Sequence, residues 1–307
     1  MPPEIVAIFG PTAVGKTGVA IALAELLRER GEDPAAVNCD SIQVYRGLEL
    51  VSGAASAAER DRLEHRLLSF VPPSEEFSAG RYAQLAHAEI DSLLAEGRRP
   101  IVVGGTGLYL RAALAELDLR PPVPPATRDQ VEGDLAERGP EALHAELEPA
   151  LAAEVDPADR KRVARLTELS RAGIEPHAGG EGMWTAALRH PTLLIGLTMD
   201  REVLGARVDA RVDAMVAAGA AEEARAAAAD GVSRTARAAL GFERLLEGHD
   251  GPPPPAAIEA IKAAHRRYAR RQLTWMRRME GVRLVARGDR DDAAVAAEIA
   301  AALQAAD

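Results

Sequence analysis

Lys16 and Thr17 close the run Gly10-Pro11-Thr12-Ala13-Val14-Gly15-Lys16-Thr17, which satisfies G-x-x-x-x-G-K-[ST] at every fixed position. Residues of those types at that spacing suit the holding of a polyphosphate. Gly10 and Gly15 allow backbone turns that aim successive N–H groups at one point, and a helix starting there adds its positive end. Lys16 is then placed to reach phosphate, and Thr17 to hold Mg²⁺. A glycine turn with a surface lysine is the bland alternative. The flanks oppose it: the apolar run Ile5 to Phe9 precedes the motif, and Val19, Leu23, Leu26 and Leu27 fall on one helical face after it. Strand, phosphate loop and helix are predicted, with no statement yet that the polyphosphate belongs to a nucleotide.

Three further groups carry potential chemistry. Asp40-Ser41 follows the short apolar segment Ala35 to Cys39. In a parallel sheet flanked by helices, ligands gather at the carboxyl ends of strands, which would put Asp40 near Lys16 as a candidate base. A helix cap or turn explains Asp-Ser equally well. Thr106 lies in Gly104-Gly105-Thr106-Gly107 after the buried-strand run Ile101 to Val103. Such glycines let backbone approach a ligand closely, and a plain turn competes. Arg207 and Arg211 lie four residues apart on one helix line, where they could clamp phosphate. Salt bridges to Asp209, Asp213 or Glu222 are the simpler reading.

The elements that must position these residues are legible in outline. Residues 51–62 read as a small-residue loop entering a polar helix, and 78–95 carry a helical period. Pro121-Pro122-Val123-Pro124-Pro125 breaks the chain. About 126–176 reads as charged amphipathic helices, His177 to Gly182 as a loop, and strand character returns at Leu193 to Leu197. We therefore expect an α/β fold, a parallel sheet flanked by helices, made of residues 1–120 and 192–307, with a helical insertion domain at 121–191. Arg160, Lys161, Arg162, Arg165 and Arg171 concentrate positive charge in that insertion, by default a solvated face. After the prolines at 252–255, Ile258, Ile261, His265, Tyr268, Gln272, Trp275 and Met279 form one packed stripe. Lys262, Arg266, Arg267, Arg270, Arg271, Arg277 and Arg278 occupy the remainder of that helix. Basic amphipathic helices also bind membranes or partner proteins. His265 and Gln272 interrupt the stripe, which favours docking on the body of the protein with the arginines facing an RNA backbone. Arg283-Leu284-Val285 suggests an edge strand, and about 291–305 a structural helix.

A chain of 307 residues can bury a substantial core. Its lone cysteine, Cys39, rules out an internal disulfide and a cysteine-rich zinc site. Neither a signal peptide nor a membrane span is predicted, so a cytoplasmic protein is expected. The net charge of −10 opposes a general nucleic-acid coat while permitting a local basic stripe.

The ordered set Gly10 to Thr17, Asn38-Cys-Asp-Ser-Ile-Gln-Val-Tyr-Arg46, Val103-Gly-Gly-Thr-Gly-Leu-Tyr109 and Arg270-Arg-Gln-Leu-Thr-Trp275 resembles the tRNA dimethylallyltransferases nearly end to end. Weaker echoes are Pro157 to Arg165, Arg211 with Met215 and Gly219, and Leu240-Gly241-Phe242. The resemblance implies a P-loop NTPase-like core and transfer of a dimethylallyl group from dimethylallyl diphosphate to the exocyclic N6 of adenosine 37, beside the anticodon in the tRNA anticodon stem-loop; a monomer is expected. By that resemblance Gly10, Pro11, Thr12, Ala13, Val14, Gly15, Lys16 and Thr17 hold the diphosphate, with Mg²⁺ on Thr17. Asp40 matches the base, Thr106 a contact to the target base or diphosphate, and Arg211 a stabiliser of the leaving group. Asp40, Ser41, Ile42 and Gln43 match the flipped-nucleotide contact. Arg128, Lys161, Arg162, Val163, Ala164 and Arg165 match tRNA contacts, which reverses the solvated-face reading of the insertion.

Departures from the family pattern occur at Gly47 to Ser56, where a customary lysine is missing, at Glu64-His65-Arg66-Leu67, which keeps one histidine of two, and at Ala238. A transferase acting on free AMP or ADP would share the first motifs without needing the insertion or the basic helix. A phosphate-loop kinase is the remaining alternative.

Overall fold

Ile5–Phe9 forms strand β1, a run of five buried residues whose two sides are both covered. The computed structural model describes residues 2–117, 119, 121–174, 187–249 and 251–306. The predicted loop at His177 to Gly182 lies outside them. Five more strands, β2 (Pro34–Asn38), β3 (His65–Arg66), β4 (Arg99–Gly104), β5 (Thr192–Thr198) and β6 (Arg283–Ala286), complete a sheet of order β3-β2-β4-β1-β5-β6. Every pairing is parallel. β1 is central, with Ile8 in register with Val103 on one side and Ile195 on the other. The continuous apolar runs of β1 and β4 follow from burial on both faces, as parallel sheets require.

The helix Lys16–Glu29 lays Val19, Leu23 and Leu27 into a cluster with Val6, Ile8, Ile101, Val103, Ile195 and Leu197. Asp292–Gln304 adds Val295, Ala296, Ile299, Ala300 and Leu303 to the same cluster. Truncating a residue as buried as Leu23 to alanine would cost about 2–5 kcal/mol. Helix Ala79–Ala95, capped by Ser78, packs on β2, β4 and the Gly107–Leu114 helix. Its Tyr82 stacks on Tyr109 at 4.2 Å and donates to the carbonyl of Asn38 at 2.9 Å, which anchors the end of β2. The stretch expected to be a loop and a polar helix, 51–62, holds the end of a short helix, Glu49–Ser52, and then the helix Ala57–Arg62, which is opened by a Ser56/Glu59 capping box.

The chain divides into two compact units, Met1–Glu116 with Met183–Asp307, and Leu117–Gly182. The second has its own core of Val131, Leu135, Leu143, Leu147, Leu151, Val155, Val163 and Leu166. Prolines open three of its helices, Pro125–Arg138, Pro140–His144 and Pro149–Ala152, where a missing N–H costs nothing. The expected boundaries need correction. Residues 187–191 go with the sheet, because the Pro191 carbonyl accepts from the Glu4 and Ile5 amides and Arg189 pairs with Asp91 and Glu116. Their polar composition hid this lead-in to β5.

Candidate active site

Strands β1, β2 and β4 are neighbours running the same way, so the loops that leave their carboxyl ends meet. The loop after β1 contains two left-handed residues, Ala13 (φ 66°) and Gly15 (φ 97°). The second position is one that glycine occupies without strain. This turn carries the backbone into the helix at Lys16, whose first amides are the orphan donors of any helix start. Two other loop amides are already used: Val14 donates to the Pro11 carbonyl, and Thr12 donates to Gln272 Oε1 at 2.8 Å. Lys16 Nζ lies against the carbonyls of Gly10 and Pro11, 3.0 Å from each. Desolvation pulls its pKa down to about 8 against the opposing pull of Asp40.

Asp40 follows β2 and is fixed by its neighbours. Its amide donates to Asn38 Oδ1 at 3.1 Å, its carbonyl accepts from Asn38 Nδ2 at 3.2 Å, and its Oδ1 accepts from the Ile42 amide at 3.0 Å. The turn reading and the site reading of Asp40 are thus compatible, since one carboxylate oxygen closes the turn. The Ser41 amide donates to Thr106 Oγ1 at 3.1 Å, and the two hydroxyls lie 3.3 Å apart. Thr106 therefore joins the loop after β4 to the loop after β2. Cys39, wholly buried beside Asp40, has its thiol pKa pushed up by desolvation.

Arg207 and Arg211 do not make the salt bridges their spacing suggested. Arg266 pairs with Asp209, Lys262 with Asp213 at 2.8 Å, and Arg225 with Glu222 at 2.9 Å. Cations of a second helix and of a third thus claim the carboxylates. Arg207 Nε instead donates to the Ala13 carbonyl at 3.0 Å, on the phosphate loop. Arg211 Nη2 donates to the Ser52 and Gly53 carbonyls at 3.2 and 3.3 Å. Burial lowers the pKa of Arg211, and Asp40 opposes the shift. Gln43 Nε2 donates to the same Gly53 carbonyl at 3.1 Å. Gly53 takes φ +60°, and a Cβ there would overlap the Arg211 guanidinium. Glu223 holds this segment by accepting from the Leu50 and Val51 amides at 2.9 and 2.8 Å.

Sequence reasoning missed Asn38, Glu223, Tyr268 and Gln272 as site residues. Tyr268 and Gln272 belong to the helix Pro255–Arg278 and reach the Gly105 carbonyl at 3.3 and 2.8 Å. The signal was present: polar groups interrupt an otherwise apolar stripe.

In the helical unit, Asp159 caps the helix Arg160–Arg171. Lys161 and Arg162 are exposed, Arg162 lying 3.6 Å from Asp159. Val163 is wholly buried in the core, with Ala164 packed against it, so the Val163 side chain is not a surface contact. Arg165 and Arg128 both turn toward the buried Glu168, at 2.8 and 3.9 Å. Among the described residues no group of three or more His, Cys, Asp or Glu side chains could hold a metal ion by itself, and no helix is long and apolar enough to cross a membrane.

A parallel sheet with a phosphate loop at its centre, a carboxylate fixed within electrostatic reach of the loop lysine and a half-buried arginine bonded nearby make this a phosphate-loop α/β protein. Residues 43–279 match the family model described as IPP transferase. A tRNA dimethylallyltransferase from Anaeromyxobacter dehalogenans is 43% identical, covering 91% of this chain and 93% of its own, and one from Kineococcus radiotolerans is 40% identical over 89% and 88%. The crystal structure of the full-length tRNA isopentenylpyrophosphate transferase from Bacillus halodurans superposes with a TM-score of 0.70 at 33% identity, covering 98% of this chain and 97% of that one. A eukaryotic dimethylallyltransferase acting on tRNA shares the fold, with a TM-score of 0.71 at 24% identity. The chain belongs to the IPP transferase family.

Proposed function

We propose that this protein transfers the dimethylallyl group of dimethylallyl diphosphate to the exocyclic N6 of adenosine 37, 3′-adjacent to the tRNA anticodon, giving N6-isopentenyladenosine, and that it acts as a cytoplasmic monomer. The observation that carries the reading is Asp40, pinned at the end of β2 within electrostatic reach of Lys16 and linked through Ser41 to Thr106.

The chemistry follows from where charge develops. Breaking the allylic C–O bond leaves negative charge on diphosphate, and Lys16, the amides at the helix start and Arg211 supply preorganised positive potential there. Thr17, the second residue of that helix, would offer its hydroxyl to Mg²⁺. The donor set fits an ion held jointly by Thr17 and diphosphate oxygens, which suits a metal that keeps most of its ligands from substrate and water. When bound it would neutralise part of the leaving group's charge. The adenine amine is a weak nucleophile because its lone pair is delocalised into the ring. Asp40 accepts its proton as the N–C bond forms, so the amine need not carry positive charge. Ser41, Ile42, Gln43 and Thr106 border the position from which the extruded base is read. Lys161 and Arg162 in the helical unit, and the arginines of Pro255–Arg278, supply the RNA backbone contacts.

The names of the relatives support tRNA as acceptor, as do the separate helical unit and the basic helix, neither of which a free nucleotide needs. Incubation with labelled dimethylallyl diphosphate and tRNA, AMP or ATP, followed by nucleoside mass spectrometry, tests the assignment. Label in tRNA adenosine alone is expected. Label in AMP, or phosphoryl transfer from ATP, would replace it with one of the two alternatives.

A further inference from the structure

We infer that Gln272 restricts the phosphate loop to a diphosphate by closing it against a third phosphoryl group. The inference rests on the diphosphate reading of the loop and adds a specificity-determining residue to it.

Gln272 is 4% exposed, and both ends of its amide are engaged. Oε1 accepts from the Thr12 amide at 2.8 Å, and Nε2 donates to the Gly105 carbonyl at 2.8 Å. A donor at one end and an acceptor at the other fix the amide's orientation, since a flip would set N–H against N–H and C=O against C=O. The amide also lies at the tip of Lys16. A Cβ built on Gly105 would overlap Gln272 Nε2 and stand 3.4 Å from Lys16 Nζ. In loops of this pattern the backbone cradles the inner phosphates and lysine reaches toward the outermost ones. Gln272 therefore stands at the outer end and occupies the loop amide that an extra phosphoryl group would seek. Tyr268, donating to the same Gly105 carbonyl at 3.3 Å, closes that end further. An uncharged allyl group needs no hydrogen bond there. A phosphoryl group there would find the Thr12 amide already paired and an oxygen left without its partner, which discriminates against such a ligand.

Calorimetric titration of the full chain with inorganic pyrophosphate and with inorganic tripolyphosphate, both in saturating Mg²⁺, tests this. The wild type should prefer pyrophosphate. Gln272→Ala frees the Thr12 amide and should shift the preference toward tripolyphosphate about tenfold, the worth of one hydrogen bond to a charged group. A merely structural role for Gln272 would weaken both ligands together. Gln272→Met, which also frees the Thr12 amide while filling nearly the same space, should shift the preference in the same direction, which guards against misfolding of the alanine variant. An unchanged preference in Gln272→Ala, or a wild type that takes tripolyphosphate as tightly as pyrophosphate, overturns the inference and leaves the transfer reaction standing. A wild type that binds neither overturns both.

Discussion

Replacing Asp40 by asparagine removes a charge and a base while leaving the local fold intact. The asparagine Oδ1 can still accept from the Ile42 amide, which lies 3.0 Å from the present carboxylate, and the two bonds from Asn38 to the backbone of residue 40 do not involve the side chain. Stability should therefore change by less than about 1 kcal/mol. Turnover should not survive so well. Loss of a general base slows a reaction by about 10²- to 10⁴-fold, or roughly 2.7–5.5 kcal/mol on the barrier. Binding of pyrophosphate faces two opposed effects. The Asp40 anion repels diphosphate, so its loss favours binding. It also supports the Lys16 cation, whose pKa is about 8 and falls further without it. At pH 7 a lysine of that pKa is about nine-tenths protonated, and a bound pyrophosphate itself favours the charged form, so little of the cation is lost. Affinity for pyrophosphate should thus stay within about threefold. Single-turnover kinetics with tRNA, alongside calorimetry with pyrophosphate, separate the two quantities. A rate loss below tenfold, or an affinity loss above tenfold, would refute the reasoning.

Gly53→Ala should weaken pyrophosphate binding about tenfold by displacing Arg211 from the Ser52 and Gly53 carbonyls, a charge-assisted contact; in an Arg211→Ala background the same substitution should have no further effect on binding, and additive losses would disprove the link. Lys16 deprotonates at about 8 when folded and at 10.5 when unfolded, so between those values the unfolded chain binds more protons and stability rises with pH. Urea unfolding of the wild type and Lys16→Met across that window should show the wild type gaining stability relative to the variant as pH rises, while the raised Cys39 thiol acts in the opposite direction in both. Lys161→Ala with Arg162→Ala should lower tRNA affinity and reduce the salt slope by about 1 to 2, and binding unchanged across salt concentrations would make this face merely solvated.

Much of the sheet was readable because fully buried parallel strands leave unbroken apolar runs, as in β1, β4 and β5, and because the phosphate-loop pattern marks the strand-to-helix join. Asp40 and Thr106 were found by the rule that loops at strand carboxyl ends converge. β3 was not, since two residues, His65 and Arg66, carry no period at all. Partner choice among charges was misread because Asp209 and Asp213 are close to arginines in sequence but only two residues away, where side chains on a helix do not face each other. The helix Pro255–Arg278 instead brings Arg266 and Lys262 to them in space. Long-range packing decides such contests, and one helix read alone cannot reveal it. Val163 was carried over with its charged neighbours although its apolar side chain belongs to the core. Gln272 was noticed as a break in a stripe and Tyr268 only as a member of it, and their targets, Gly105 and Thr12, lie more than 160 residues away.

The union of the Lys16–Glu29 and Asp292–Gln304 helices has a consequence for biosynthesis. Asp292 fits over Gly18, where any larger side chain would collide with it, and the residues beyond it wrap the flank of the phosphate-loop helix. A nascent chain emits that first helix some tens of seconds before its cover leaves the ribosome, at roughly 5–20 residues per second. For the first part of that interval β1 also waits for its neighbours, β4 and then β5. The cradle gains its cover only once the Asp292–Gln304 helix has emerged, and a message cut short before it would yield a protein whose most ligand-hungry segment is the one left uncovered.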